Sequence, residues 1–178
     1  SAKVAIDWFE QKLNKTIAEI DGSYDKYRIS EALMSTYKLV WDDFCSWYLE
    51  LVKPAYQEPI DSATLEATIG FLEDILKLLH PFMPFLTEEV WHLISDREDD
   101  IIVAVWPRAS AVNEQLLADF EIAAEVVSGI RNIRKQKNIA NKEVLDFAVK
   151  ANEENNKALD VIIVKLGNLS GISYVDKK

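Results

Sequence analysis

Leu78-Leu79-His80-Pro81-Phe82-Met83-Pro84-Phe85-Leu86-Thr87-Glu88-Glu89-Val90-Trp91 is the stretch that decides the fold class. It reads as one helix that stops and a second that starts. Pro81 disfavours helical geometry at His80, so the first helix ends there. Pro84 suits a first helical position, where a missing N–H costs nothing. Glu88 and Glu89 fall in or near the opening turn, where negative charge complements the helix N-terminus.

Working outward, helical spacing dominates the first three quarters of the chain. Ile6, Phe9, Leu13, Ile17 and Ile20 mark a first amphipathic helix, ended by the turn residues Asp21-Gly22-Ser23. A long second helix is predicted from about 25 to 52. Its inner stripe is Ile29, Leu33, Tyr37, Val40, Phe44, Trp47 and Leu51, and Trp41 and Tyr48 widen it. Asp61 or Ser62 caps a third helix with Leu65, Ile69, Leu72, Leu76 and Leu79 on one face. A fourth runs from 84 to 95 and a fifth from 113 to 138. The loop between them carries Asp96, Glu98, Asp99 and Asp100, then the apolar run from Ile101 to Trp106, which reads as a short strand or an extended segment. Trp106, beside Pro107, is the aromatic least suited to burial.

The last 35 or so residues change character. Leu145, Phe147 and Val149 alternate with Asp146, Ala148 and Lys150, the period of a strand. A helix over 152–167 and a second strand at Ile172 and Tyr174 follow. Such a strand–helix–strand order favours parallel pairing. Two strands alone are marginal, so this segment is expected to be truncated at its C-terminal end, or completed by contacts with the helical part. The fold class is therefore mostly α: a helical domain of about five helices over 1–143, then a small α/β appendage over 144–178.

Composition excludes several functions. The 178 residues are 49% hydrophobic and 28% charged, an ordinary globular balance. No apolar run approaches the roughly 20 residues of a membrane span, and no basic-then-apolar leader is visible. Cys45 is the only cysteine, so no intramolecular disulfide can form and a reducing, cytoplasmic compartment is expected. Between Phe44 and Trp47, Cys45 is expected to be a buried small hydrophobe. No zinc-ligand spacing, phosphate loop or nucleophile elbow is present, so no catalytic residue, metal or cofactor is assigned. The adjacent Glu88 and Glu89 point in different directions on a helix and cannot share one site. His80 and His92 have no evident nucleophile to serve.

A net charge of −10 opposes nucleic-acid binding unless the cations are segregated, and here they partly are. Residues 126–142 hold Arg131, Arg134, Lys135, Lys137 and Lys142 and no acid. At about 100° per residue, Arg131, Arg134, Lys135 and Asn138 share one face, and Lys142 joins them if the helix continues. Val126, Ile130 and Ile133 would face the core. Rigidly spaced cations beside a packed face suit an RNA backbone. The same cations also suit a solvated helix end that complements the macrodipole.

Five stretches in order now carry a family resemblance. Tyr27-Arg28-Ile29-Ser30-Glu31-Ala32 is followed by Val40-Trp41-Asp42-Asp43-Phe44-Cys45-Ser46-Trp47-Tyr48-Leu49-Glu50-Leu51-Val52-Lys53-Pro54, then the helix joint at 78–91. Ile101-Ile102-Val103-Ala104-Val105-Trp106-Pro107 and Ile130-Arg131-Asn132-Ile133-Arg134 complete the set. Together they resemble the anticodon-binding domain of class I aminoacyl-tRNA synthetases, in the valyl form. Ser46 stands where Asp is usual. The resemblance implies a helical bundle that grips the anticodon arm of valine tRNA, as one part of an ATP-dependent valine–tRNA ligase. Its ATP-using catalytic domain lies outside this chain, whose own role is non-catalytic. It carries the Arg-bearing motif onto Arg131 and Arg134; Lys135, Asn138 and Lys142 rest on helix geometry. The expected partners are the anticodon arm and the remaining domains of the synthetase, with no membrane and a monomeric state. Without the resemblance, acidity and apolar richness fit a non-enzymatic helical adaptor for protein partners equally well.

Overall fold

A computed structural model describes residues 2–150 and 157–175. These residues are mostly helical. Helix α1 spans Ala2–Asp25 and α2 spans Ile29–Lys38. A π-helical stretch, Leu39–Tyr48, leads into the short α3, Leu49–Val52. Then come α4 (Ser62–Leu79), α5 (Pro84–Ile94), α6 (Glu114–Lys137) and α7 (Asp160–Gly167). Strands β1 (Leu145–Lys150) and β2 (Leu169–Val175) pair in parallel, with an irregularity between Leu145 and Asp146. The chain sorts into two compact units, one drawn from Ser1–Trp8 with Asn113–Lys178 and one from Phe9–Val112.

The Phe9–Val112 unit is built on the stripe predicted for α1. Phe9, Leu13, Ile17 and Ile20 are all buried. Phe9 packs on Phe44, Tyr48 and Phe71, with ring centroids 5.3, 4.9 and 5.0 Å away. Asp61 caps α4 by accepting the Thr64 amide at 2.9 Å, as its type and place require. The buried face of α4 is Thr64, Ile75 and Leu78, while Leu76 joins Trp91 and Ile101 in a second cluster. The helix joint falls at the expected place, α4 ending at Leu79 and α5 beginning at Pro84, although His80 ahead of Pro81 keeps right-handed helical dihedrals (φ −54°, ψ −39°). Thr87 Oγ donates to the Met83 carbonyl at 2.9 Å and lies 2.8 Å from His80 Nδ1. The Thr87 Oγ–His80 Nδ1 hydrogen bond ties the two helices.

The long second helix departs from expectation. Buried positions run Ala32, Thr36, Leu39, Phe44, Tyr48, so spacing widens to five within the π-helical stretch. The i→i+5 pattern is visible in Ser46 Oγ donating to the Trp41 carbonyl and in the Leu49 amide donating to the Phe44 carbonyl. The wider turn carries Tyr48 fully inward. Ile29, Leu33, Tyr37 and Trp41 are exposed, against the predicted stripe. Cys45 is likewise exposed, not buried between its aromatic neighbours. Helix α1 runs one turn past Gly22 to Asp25, and the run after the acidic loop is a single 3-10 turn, Ile101–Val103, followed by extended chain rather than a strand. Trp106 is half-buried, its Nε1 donating to Asp21 Oδ1 at 3.0 Å.

Asp43 in this unit is pushed up to about 6, because burial outweighs the attraction of Lys12 at 3.5 Å. Its folded pKa exceeds the unfolded value, so folding takes up a proton between about pH 4 and 6 and stability falls as pH rises through that window. Asp43→Asn has no charge to desolvate. Its stability relative to wild type is expected to rise by about 1–2 kcal/mol from pH 4 to 7. Urea unfolding at both pH values checks this; a constant difference would refute it.

In the other unit, Asn113 caps α6 by accepting the Leu116 amide at 3.1 Å, and Asn138 ends it in the left-handed region (φ 54°). Trp8 stacks on Phe120 at 3.9 Å. The alternation predicted for β1 is observed, with Leu145, Phe147 and Val149 half-buried and their neighbours exposed. Of the helix predicted over 152–167, Lys157–Leu159 form a 3-10 turn and 160–167 form α7; residues 152–156 lie outside the described residues. Leu159, Ile162 and Ile163 point inward as expected. A Cβ on Gly167 would meet Leu169 Cγ at 3.1 Å and Ile130 Cδ1 at 3.3 Å, so this corner is packed to the limit a glycine allows. No described helix is long and apolar enough to cross a membrane.

Candidate nucleic-acid interface

The buried stripe of α6 is Leu117, Phe120, Ala123, Val127, Ile130 and Arg134, at spacings of three and four. Arg134 therefore occupies the next core position after Ile130. It is 3% exposed. Its Nη1 donates to the carbonyls of Ala140 (3.1 Å) and Glu143 (2.9 Å), and its Nη2 to those of Gly167 (2.9 Å) and Asn168 (3.0 Å). The expectation that Arg134 meets a phosphate is corrected: both of its Nη atoms are spent on main-chain carbonyls, Nε has no partner among the described residues, and the side chain is almost wholly covered. The guanidinium holds together the end of α6, the turn before β1 and the corner between α7 and β2. It is held by carbonyls, not carboxylates, so it keeps its positive charge unneutralised beneath the surface.

That buried charge forms part of an open groove of about 600 Å3. Arg131 and Lys135 line it, one helical turn apart, with Ile139, Asn141, Leu166, Gly167 and Asn168. No carboxylate is among the lining residues. Arg131 and Lys135 are both exposed. Asn168, left-handed at φ 50°, donates from Nδ2 to the Asn141 carbonyl at 2.9 Å and so fixes the groove wall. Two exposed cations at a fixed spacing over a third, buried one suit successive phosphates of a nucleic-acid backbone.

The other predicted contacts fall outside this groove. Asn138 and Lys142 are exposed, Asn138 at the helix cap and Lys142 in the turn before β1, and neither is among the residues lining the groove. Ile133, expected to face the core, is 53% exposed, because the inward face is set by Val127 and Ile130. Counting four residues on from Ile130 would have marked Arg134 as inward. The wall residues Asn141, Gly167 and Asn168 carried no sequence signal as site residues, since their role comes from the α7–β2 corner. Arg28 faces Glu31 at 3.4 Å, an exposed pair one helical turn apart.

Residues 7–149 match the protein family described as the anticodon-binding domain of tRNA ligase. The chain is 52% identical to a valine–tRNA ligase of Christiangramia forsetii over 98% of its length and 50% identical to one of Parabacteroides distasonis over its full length. It is 31% identical to a valine–tRNA ligase of Thermotoga maritima over 99% of its length. In each comparison it spans about a fifth of the relative's length, 20%.

Proposed function

The chain belongs to the family of anticodon-binding domains of tRNA ligases, and on that premise we propose that it grips the anticodon arm of valine tRNA as one part of a valine–tRNA ligase. In this reading valine activation with ATP and transfer to tRNA take place on domains outside the chain. The family match favours this reading over the protein-adaptor alternative.

The single observation that carries the site is the groove on α6. A chain of net charge −10 presents Arg131 and Lys135 side by side on a surface with no acid among its lining residues. The two side chains meet neighbouring phosphates. Arg134 adds field from below without touching the RNA and holds the groove wall, while α6 sets the spacing of the two cations. Lys142, in the turn before β1, supplies an outer, weaker contact, and Asn138 offers an amide to a base edge.

Titration with the anticodon stem-loop of valine tRNA at several salt concentrations tests this. Two to three phosphate contacts give a log–log salt slope of roughly −2. Affinity for the isolated chain is expected to be weak, on the order of 10 μM or poorer, because the other domains contribute no avidity. Arg131→Glu and Lys135→Glu are each expected to weaken binding about tenfold and to flatten the slope by about one. Unchanged affinity and slope in both variants would remove this face from the RNA.

A further inference from the structure

A second cluster of chemistry-bearing side chains lies in the Phe9–Val112 unit, where α5 meets the acidic loop. We propose that Glu88, His92 and Asp100 form a binding site for one divalent transition-metal ion of the zinc class. Glu88 and His92 are four residues apart on α5 and so share a face. His92 Nε2 lies 3.1 Å from Glu88 Oε1 and 3.4 Å from Asp100 Oδ1, and the three ligand atoms all fall within 4.8 Å of one another. Ligands at about 2.0–2.1 Å from a tetrahedral zinc are separated by about 3.3 Å. Two of the three edges already match that length. The third, between the carboxylates, needs only side-chain adjustment.

The site is built from both sides of Asp100. The Trp91 indole donates to the Asp99 carbonyl at 3.1 Å, and the Ile101 amide donates to Glu88 Oε1 at 3.1 Å. The main chain flanking Asp100 is thus bonded back onto the helix that carries the other two ligands. Arg97 lies over the Trp91 ring at 3.8 Å and pairs with Glu73, bracing the start of the loop. Outward, the site is open: the Asp100 side chain is 67% exposed, which leaves room for water as the remaining ligand. One imidazole with two carboxylates selects zinc, cobalt or nickel over magnesium, which favours oxygen ligands alone. Binding takes a neutral imidazole, so a proton leaves His92 to solvent wherever it is held there. The ion would clamp the 96–100 loop to α5 and stabilise this unit by mass action.

Calorimetric titration of the 178-residue chain with zinc chloride, and separately with magnesium chloride, tests the site. Cobalt absorption spectra report the coordination number. The expected result is one zinc per chain at micromolar concentration, no saturable magnesium uptake in that range, and a tetrahedral cobalt spectrum. His92→Ala and Asp100→Asn should each weaken zinc by about tenfold or more, and Glu89→Gln, on the adjacent exposed position, should not. Circular dichroism matched to wild type establishes that the variants fold. The proposal is overturned by the absence of saturable zinc uptake, by magnesium competing on equal terms, or by His92→Ala binding zinc as wild type does.

Discussion

Arg134→Met is expected to destabilise the unit holding α6, β1, α7 and β2 by about 3–5 kcal/mol. The substitution keeps an apolar stem of similar length and removes the guanidinium. Four carbonyls then lose a charged donor: Ala140, Glu143, Gly167 and Asn168. Hydrogen bonds from charged donors are worth about 1.5–3 kcal/mol each, and relief from burying the charge offsets part of their sum. The Glu143 carbonyl keeps a contact from Asn168 Nδ2 at 3.3 Å, so its loss is smallest. Arg134→Lys supplies a point charge in place of a planar fork and is expected to recover less than half. Hydrogen exchange across 145–150 and 160–175 measures the effect. Protection unchanged to within about 0.5 kcal/mol would show that these bonds are dispensable. On the proposed reading, RNA affinity falls in step with this unfolding, not independently of it, because Arg134 holds the groove wall and not a phosphate.

Tyr48→Ala is the second large effect, expected to cost the Phe9–Val112 unit about 3–5 kcal/mol. Tyr48 is fully buried among Phe9, Phe44 and Phe71, with centroids 4.9–5.4 Å away. Its hydroxyl lies 2.8 Å from Thr68 Oγ, whose own proton goes to the Thr64 carbonyl at 2.7 Å. Tyr48 is therefore the donor. Tyr48→Phe loses that bond but leaves Thr68 still bonded, so it should cost only about 1 kcal/mol. The ratio between the two variants separates ring packing from the hydroxyl. Urea unfolding followed by circular dichroism gives both numbers; equal costs would mean the hydrogen bond, not the aromatic cluster, anchors the π-helical stretch.

The two residues also mark where sequence reading reached its end. The helix joint at 78–91, the cap at Asp61, the bounds of α6 and the alternation of β1 were legible because each depends on neighbours within four residues. Pro81 and Pro84 bear on their own and the adjoining backbone, and Asp61 on an amide three positions away. The inner face of the second helix was not legible. A 3.6-residue count predicted Val40, Phe44 and Trp47, widened by Trp41 and Tyr48; the π-helical stretch buries Phe44 and Tyr48 as expected but takes Leu39 as its third buried position and leaves Trp41 exposed. What fixes that wider turn is the fit of Tyr48 against Phe9 and Phe71, which lie far off in sequence.

For the candidate site, the chain announced its cations and hid their roles. Segregation of Arg131, Arg134 and Lys135 in an acid-free run was plain from composition. Which of them is exposed depended on which side of α6 is covered, and that is decided by packing against α7. The same holds at α5, where Glu88 reads as a helix-start charge until the returning loop sets Asp100 beside His92.

Taken alone, the order of residues determined where helices begin and end, that strands follow at the C-terminal end, and to which family the motifs belong. These are short-range or pattern properties, carried by dihedral preferences, hydrogen-bond caps and local periodicity. Only the tertiary structure decided which arginine is buried, which aromatic faces are covered and which distant polar groups meet. A guanidinium is drawn inside when four carbonyls converge on it, and those carbonyls come from segments that the chain brings together only by folding.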